Sequence, residues 1–382
     1  MKVLHINSDY PYQLLYERLY HGISQCDIDQ TVFVPLRYAD KNYKSDKRHS
    51  DILEVKYRIV LRWYHKYLYY YKIHRVTKSL EYAIDVSQYD LIHAHYLLTD
   101  GGIAYKLSRK YGIPYIITIR NTNVNRLLRY RYYLRGRGNK ILNNASTAIC
   151  LTPSYLDVLK QKYRQLKVKH RDNNMEIVPN TVSQVYHATP PTYRLQKTSD
   201  LYKVLYVGDH SKNKQVHLII DAVSIMNKRG IPAKLTLVGG GRDYRDRIKK
   251  YISQNAGVVT HIPWVTDTNT LISIYDRHDV SVLVSKKETF GVVQVESIFR
   301  NTPIVYRKGQ GIDGWDVCTS YGLAFEGSTG DELASALINA KEKYKSRRGP
   351  SHADLDVFTI NAVAQRHVQI YESAISSKFM PS

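Results

Sequence analysis

Short apolar runs alternate with stretches whose apolar positions recur every three or four residues along nearly the whole chain. Runs at Lys2–Ile6, Thr31–Pro35, Leu91–Ala94, Tyr115–Ile119 and Ala148–Leu151 read as strands. They are short, mostly apolar and bounded by polar or turn residues. A second series follows at Lys203–Val207, Lys234–Val238, Val258–Ile262, Val280–Val284, Pro303–Tyr306 and Gly322–Phe325. Strands separated by helical stretches imply β-α-β units and parallel sheets. Between the two series lies Ala188-Thr189-Pro190-Pro191-Thr192, a Pro-rich break. The pattern predicts an α/β chain of two doubly wound, Rossmann-like domains, residues 1–190 and 191–360, facing a central cleft. Ligands are then expected at the carboxyl ends of the strands.

One segment departs from this rhythm. Between Tyr57 and Lys78, residues Val60, Trp63, Tyr64, Tyr67, Leu68 and Tyr71 recur at spacings of three and one, which predicts a single helical face. Arg58, Arg62, Lys66 and Lys72 lie across or beside it. A second basic and aromatic cluster runs from Arg126 to Arg135.

Composition sharpens the picture. At 382 residues, with 43% hydrophobic content, the chain exceeds what one core usually serves. No apolar run approaches the roughly 18–20 residues of a membrane span, and the start of the chain reads as a strand, not a signal peptide. Cys26, Cys150 and Cys318 are scattered without metal-ligand spacing, which fits a reducing cytoplasm. The net charge is +22, and it is uneven: residues 1–190 carry 30 Lys and Arg against 15 Asp and Glu, and residues 101–150 carry ten basic residues and no acidic one. Such a field attracts a polyanion or an anionic membrane. The aromatic and basic residues favour membrane contact through Arg58, Arg62, Trp63, Lys66, Tyr67, Arg129 and Arg131. The expected location is cytoplasmic, peripheral at the inner face of the cell membrane. An ordinary packed helix with a solvated basic face stands as the alternative.

The candidate chemistry centres on Glu288-Thr289-Phe290-Gly291-Val292-Val293-Gln294-Val295-Glu296. Glu288 would leave a strand end and meet sugar hydroxyls. The N–H groups of Phe290, Gly291 and Val292 would open a helix and face phosphate, since a helix N-terminus offers unpaired donors and a positive dipole end. Glu296, two turns further along and on nearly the same face, could hold two ribose hydroxyls.

With its flanks, Ser285-x-x-Glu288-x-Phe290-Gly291, Glu296, Asn301-Thr302-Pro303-Ile304-Val305 and Gly309-Gln310-Gly311-Ile312, this stretch resembles the donor-site signature of the retaining family 4 glycosyltransferases, which have the GT-B fold. Other family-like pieces follow in order: His93-Ala94-His95, Pro114 to Ile119, Ile177-Val178-Pro179-Asn180, Val204 to Gly208 with its loop to Lys214, and Leu235 to Gly241. The resemblance implies that a last helix, about 361–382, packs back on the first domain. It implies transfer of a hexose from a nucleotide sugar, a UDP-sugar, to a lipid-linked glycan for a surface polysaccharide.

The resemblance also assigns residues. Lys214 would stabilise the leaving diphosphate, the largest electrostatic service such a transfer needs. Gly208, Lys212 and Gly239 would lie close to the nucleotide. Glu288, Lys214 and Arg120 are the catalytic candidates, and Asp9, His95 and Asn121 the acceptor-side ones. Two departures stand out. Asp209 occupies a position where the family usually has Arg, so Lys212 or Arg120 would have to compensate. Arg120 stands where many relatives have His; a guanidinium suits a phosphate and is a poor base. Asp27-x-Asp29 and Asp354-x-Asp356 superficially match a metal-binding DxD but lack its context, so neither a metal nor a cofactor is expected. The rivals are a sugar-nucleotide epimerase or hydrolase of similar fold, and a basic nucleic-acid-binding protein with steeply salt-dependent affinity.

Overall fold

Thirteen strands form two all-parallel sheets in a computed structural model that describes residues 1–13, 15–38, 53–120, 132–165, 174–189, 200–241, 245–345 and 349–376. The first sheet holds β1 (Lys2–Ile6), β2 (Asp29–Arg37), β3 (Glu54–Leu61), β4 (Leu91–Ala94), β5 (Tyr115–Ile119), β6 (Thr147–Cys150) and β7 (Met175–Ile177), in the order β3-β2-β1-β4-β5-β6-β7. The second holds β8 (Tyr202–Asp209), β9 (Ala233–Gly240), β10 (Val259–Ile262), β11 (Val280–Leu283), β12 (Ile304–Arg307) and β13 (Gly322–Phe325), in the order β10-β9-β8-β11-β12-β13. Helices on both faces explain why central strands such as β5 read as continuous apolar runs: all five of its residues are buried.

The chain divides into two compact units. The first comprises Met1–Leu151, Leu156–Thr181 and Ile360–Ser382; the second comprises Thr152–Tyr155 and Val182–Thr359. The passage between them thus falls at Thr181–Val182 and not at residue 190. The reason is local burial. Val182 donates to the Phe358 carbonyl at 3.1 Å, and Tyr186 is fully buried against the ring of Tyr275. The helix Ile360–Ser376 lies against the helix Leu15–Ser24, where an added Cβ at Gly22 would come within 2.6 Å of Ile360.

The predicted helical face between Tyr57 and Tyr71 is corrected. Glu54–Leu61 is an edge strand, paired with β2 from Thr31↔Glu54 to Arg37↔Leu61. A short 3-10 turn spans Trp63–Lys66, and the helix begins only at Tyr69. Val55, Ile59 and Val60 are β-branched and favour an extended backbone, and the waiting edge of β2 decides the matter. β7 is a second strand that the pattern did not announce. Asn121, Arg129, Arg131 and the prolines at 190–191 lie outside the described residues. Among the described residues, no helix is long and apolar enough to cross a membrane.

Candidate active site

In the second sheet β8, its first strand, lies between β9 and β11. The chain direction of winding reverses there, and the loops leaving β8 and β11 open a crevice at their carboxyl ends. Lys214 sits on the loop after β8 and Glu288 on the loop after β11. They meet: Lys214 Nζ lies 2.6 Å from Glu288 Oε2, with both side chains largely withdrawn from solvent. Ser285 Oγ donates to the same oxygen at 3.2 Å.

Asn213 ties the two loops together. Its amide nitrogen donates to the Lys287 carbonyl at 2.9 Å, its amide oxygen accepts from the Lys287 N–H at 3.1 Å, and its own carbonyl accepts from Lys286 N–H at 2.9 Å. A third loop closes over Glu288 from β12. The Glu288 N–H donates to Gln310 Oε1 at 3.1 Å, and Gly311 N–H donates to the Glu288 carbonyl at 3.2 Å.

The helix after Glu288 runs from Val292 to Phe299 and starts at Gly291, whose φ of 77° is left-handed. Glycine is favoured there because L side chains rarely adopt that φ, and a Cβ would also stand 2.7 Å from Gln294 Oε1. Gln294 N–H makes a first-turn bond to the Gly291 carbonyl, so the N–H groups before it precede the helical ladder and remain donors for an anion. Glu288 itself is outside the helix. Glu296 therefore stands about one turn into it, and not two turns along a shared face. It is buried, and Tyr275 Oη donates to Glu296 Oε2 at 3.3 Å.

Gly208 and Gly239 face each other at the strand ends. Gly239 has φ 119°, and a Cβ on it would lie 2.2 Å from the Gly208 carbonyl oxygen. No other residue permits this approach. Asp209, the residue that departs from the family pattern, is turned into its own loop: its Oδ1 accepts from Ser211 N–H at 2.9 Å. Lys212 is exposed on the same loop. His210 adds no charge, because burial and the neighbouring His261 hold its imidazole down to about 4.

The pattern of residues missed Arg307. Its guanidinium donates to the carbonyls of Val284 (3.1 Å) and Gly327 (3.0 Å) and to Gln215 Oε1 (2.8 Å). It forms no ion pair among the described residues, so its charge adds to the positive field around Lys214. Asn213 was missed too, though its place between two candidate lysines was a signal.

In the first unit the corresponding switch point lies between β1 and β4. Asp9 accepts from Tyr96 Oη there, and Ser8 donates to Asp100 through its backbone and side chain. Asp100 is fully buried and its carboxyl is pushed up to about 7 by that burial. His95 is fully buried, its Nε2 within 3.2 Å of His5 Nδ1 and 3.0 Å of Tyr20 Oη. Arg120 is also buried. Its Nη1 donates to Asn180 Oδ1 at 3.4 Å, its plane lies over Tyr16 with the centroid 4.9 Å away, and the cavity beside it measures only about 10 Å³. His95 and Arg120 are thus both buried within the first unit.

His5, His93 and His95 bring nitrogens within 4.8 Å of one another, a metal-like spacing. Hydrogen bonds already engage both nitrogens of His93, to Tyr371 Oη (2.9 Å) and Thr118 Oγ1 (2.8 Å). Burial, the other imidazoles and the Arg120 guanidinium push His93 well below the usual range. The trio is better accounted for as a neutral hydrogen-bonded core.

Comparison with known proteins agrees with this geometry. The family model "Glycosyl transferases group 1" matches residues 194–353, and "Glycosyltransferase Family 4" matches residues 17–184. Similar chains include D-inositol 3-phosphate glycosyltransferase of Paenarthrobacter aurescens, 24% identical over 317 residues, 77% of this chain and 75% of that one. Among solved structures, sucrose-phosphate synthase from Thermosynechococcus elongatus superposes with a TM-score of 0.77 at 18% identity, over 99% of this chain and all of that one. Anabaena HepE in complex with UDP does so with a TM-score of 0.66 at 17% identity, over 99% of each chain. The chain belongs to the family 4 glycosyltransferases, with the GT-B fold. It is an enzyme of the hexosyltransferase class.

Proposed function

We propose that this protein is a retaining glycosyltransferase that moves a hexose from a UDP-sugar to a lipid-linked glycan in surface polysaccharide biosynthesis. The observation that carries this reading is the Lys214–Glu288 pair at the crevice between β8 and β11. A cation for the diphosphate and a carboxylate for the sugar stand side by side, next to a glycine-opened helix N-terminus. The solved HepE complex holds UDP on a similar fold. In the transfer, the bond from the anomeric carbon to the β-phosphate oxygen breaks and the acceptor oxygen bonds that carbon on the same face. The acceptor's proton passes to the departing phosphate. Lys214 Nζ and the N–H groups at Gly291 and Val292 stabilise the charge that develops, and Glu288 orients the hexose. Lys212 and Arg307 add to the same field. No resident metal is required in this scheme, so turnover survives EDTA; complete, Mg²⁺-reversible loss would remove that part.

The second element of the proposal is peripheral attachment to an anionic membrane through the first unit. Trp63, Tyr67 and Leu68 are exposed by 77%, 64% and 52%, beside Arg58, Arg62 and Lys66. The full proposal is tested by thermal shift with UDP, GDP and UDP-hexoses, followed by transfer to lipid extracts. A ligand at 100 times its dissociation constant stabilises the fold by about 2.7 kcal/mol. No shift with any nucleotide or sugar nucleotide would overturn the donor assignment.

A further inference from the structure

The stretch from Arg58 to Tyr82 forms something more specific than a basic patch. The end of β3, the Trp63–Lys66 turn and the helix Tyr69–Ala83 line an open cavity of about 530 Å³. That is the size of a small-molecule site, roughly 300–1,000 Å³. Four cationic side chains line it: Arg58 from the strand, Arg62 before the turn, and Arg75 and Lys78 from one face of the helix. Its described lining contains no carboxylate.

Among the described residues these charges are little neutralised. Among the described residues, Arg58, Arg62 and Arg75 have no ion-pair partner. Arg58 and Arg62 lie over the rings of Tyr82 and Tyr38, at 5.2 Å and 4.2 Å from the centroids. Among the described residues Lys78 pairs with Glu81 alone, at 3.7 Å, and that carboxylate is held closer, at 2.6 Å, by Lys110. His65 lies in the wall and is almost fully buried. Its Nδ1 accepts from the Arg62 N–H at 3.0 Å, and its Nε2 has no partner. Four cationic side chains lining one cavity, with an orphaned buried donor in its wall, suit an anion with several acceptor oxygens. Guanidinium forks match phosphate in shape and charge. Around the cavity stand Trp63 and Tyr82, exposed by 77% and 85%, the side chains that settle at a membrane–water boundary.

We propose that this cavity is a phospholipid headgroup site: Arg58, Arg62, Arg75 and Lys78 take the phosphate of an anionic glycerophospholipid while Trp63 and Tyr82 enter the interface. It rests on the membrane-contact reading above and replaces a diffuse attraction with a discrete phosphate site.

Charge-conserving substitution separates the two. In the full chain, Arg58→Lys with Arg75→Lys keeps the net charge and removes two planar forks. Co-sedimentation is measured with phosphatidylcholine vesicles carrying phosphatidylglycerol, and with vesicles of equal charge carrying a fatty acid. The wild type should prefer the phosphatidylglycerol vesicles. The double variant should lose about tenfold in affinity for them and bind the fatty-acid vesicles as before. Its thermal shift with UDP, a site in the other unit, should be unchanged, which reports that it is folded. Equal binding of both proteins to both vesicles would overturn the headgroup site while leaving surface attachment standing. No binding of the wild type to any anionic vesicle would remove both. Loss of glycerol 1-phosphate binding in solution, with vesicle binding unaltered, would make it a soluble-phosphate site and overturn the lipid assignment.

Discussion

In both units the first strand lies between the second and the fourth, so each sheet reverses its winding beside that strand, yet the residues gathered there are of opposite kinds. Beside β8 and β11 stand Lys214, Glu288 and Asn213, on loops with partial access to solvent. In and just after β1 and β4 stand His5, His93 and His95, buried with Tyr20, Tyr371 and His367, while Ser8 and Asp9 on the loop after β1 are half-buried. One strand order thus carries the candidate donor site in one unit and a closed polar core in the other. The strand order makes the crevice available; whether it is used depends on the side chains that fill it.

The largest effect expected is at the open switch point. Lys214→Ala should reduce transfer by about 10²–10³-fold, the scale of removing one fixed donor from a developing anion. Steady-state rates on a folded variant check this, and near-normal turnover would pass the role to Lys212 or Arg307.

The closed switch point should respond to acid instead. Burial, then His367, holds the His5 imidazole at about 3; burial holds His367 at about 4, and His93 and His95 are likewise well below 6.5. Folded values below the unfolded one mean that the unfolded chain binds more protons. The stability these groups confer is then fully present above pH 6.5 and lost as pH falls through the folded values, about 4 for His367 and about 3 for His5. Asp100, raised to about 7, acts in the opposite sense and offsets part of the loss. The second unit carries fewer such groups, His210 and His352. Hydrogen exchange at pH 7.5 and 4.5 should show β1 and β4 losing protection by on the order of several kcal/mol, and β8 and β11 by less. Equal losses would break the contrast.

Glu296→Ala should weaken UDP binding about ten- to hundredfold, because charged hydrogen bonds to ribose are worth roughly 1.5–3 kcal/mol. Calorimetry on the folded variant measures it, and unchanged affinity for UDP and GDP alike would take Glu296 out of the site. The smallest effect is expected at Asn213. Asn213→Ala removes two bonds between the loops, about 1–2 kcal/mol, and should lower transfer by about three- to tenfold. A variant as inactive as Lys214→Ala would mean that Asn213 touches substrate.

All the parallel strands but β3 and β7 were legible, because buried parallel strands are short apolar runs whatever surrounds them. The donor motif was legible because Glu288, Gly291 and Glu296 are close neighbours in the chain. What escaped depends on distant partners. Arg307 acts on Gln215, and Asn213 on Lys287, through register between separate strands. His93-Ala94-His95 gave no sign of full burial, since its partners Tyr20 and Tyr371 lie far away in sequence. The stretch from Tyr57 to Leu61 fits either period, and only the free edge of β2 selects the strand.

The returning helix Ile360–Ser376 also sets an order in time. Tyr371, whose hydroxyl meets His93 Nδ1 at 2.9 Å, belongs to the first unit although the second unit's main segment, Val182–Thr359, is made before it. At a synthesis rate of about 5–20 residues per second, roughly 10–40 s separate Thr181 from Tyr371. For that interval the nascent first unit lacks the helix that covers Gly22 and Tyr20, and its imidazoles remain open to water and to protons. The second unit, nearly continuous in the chain, can close earlier. The unit begun first is the one completed last.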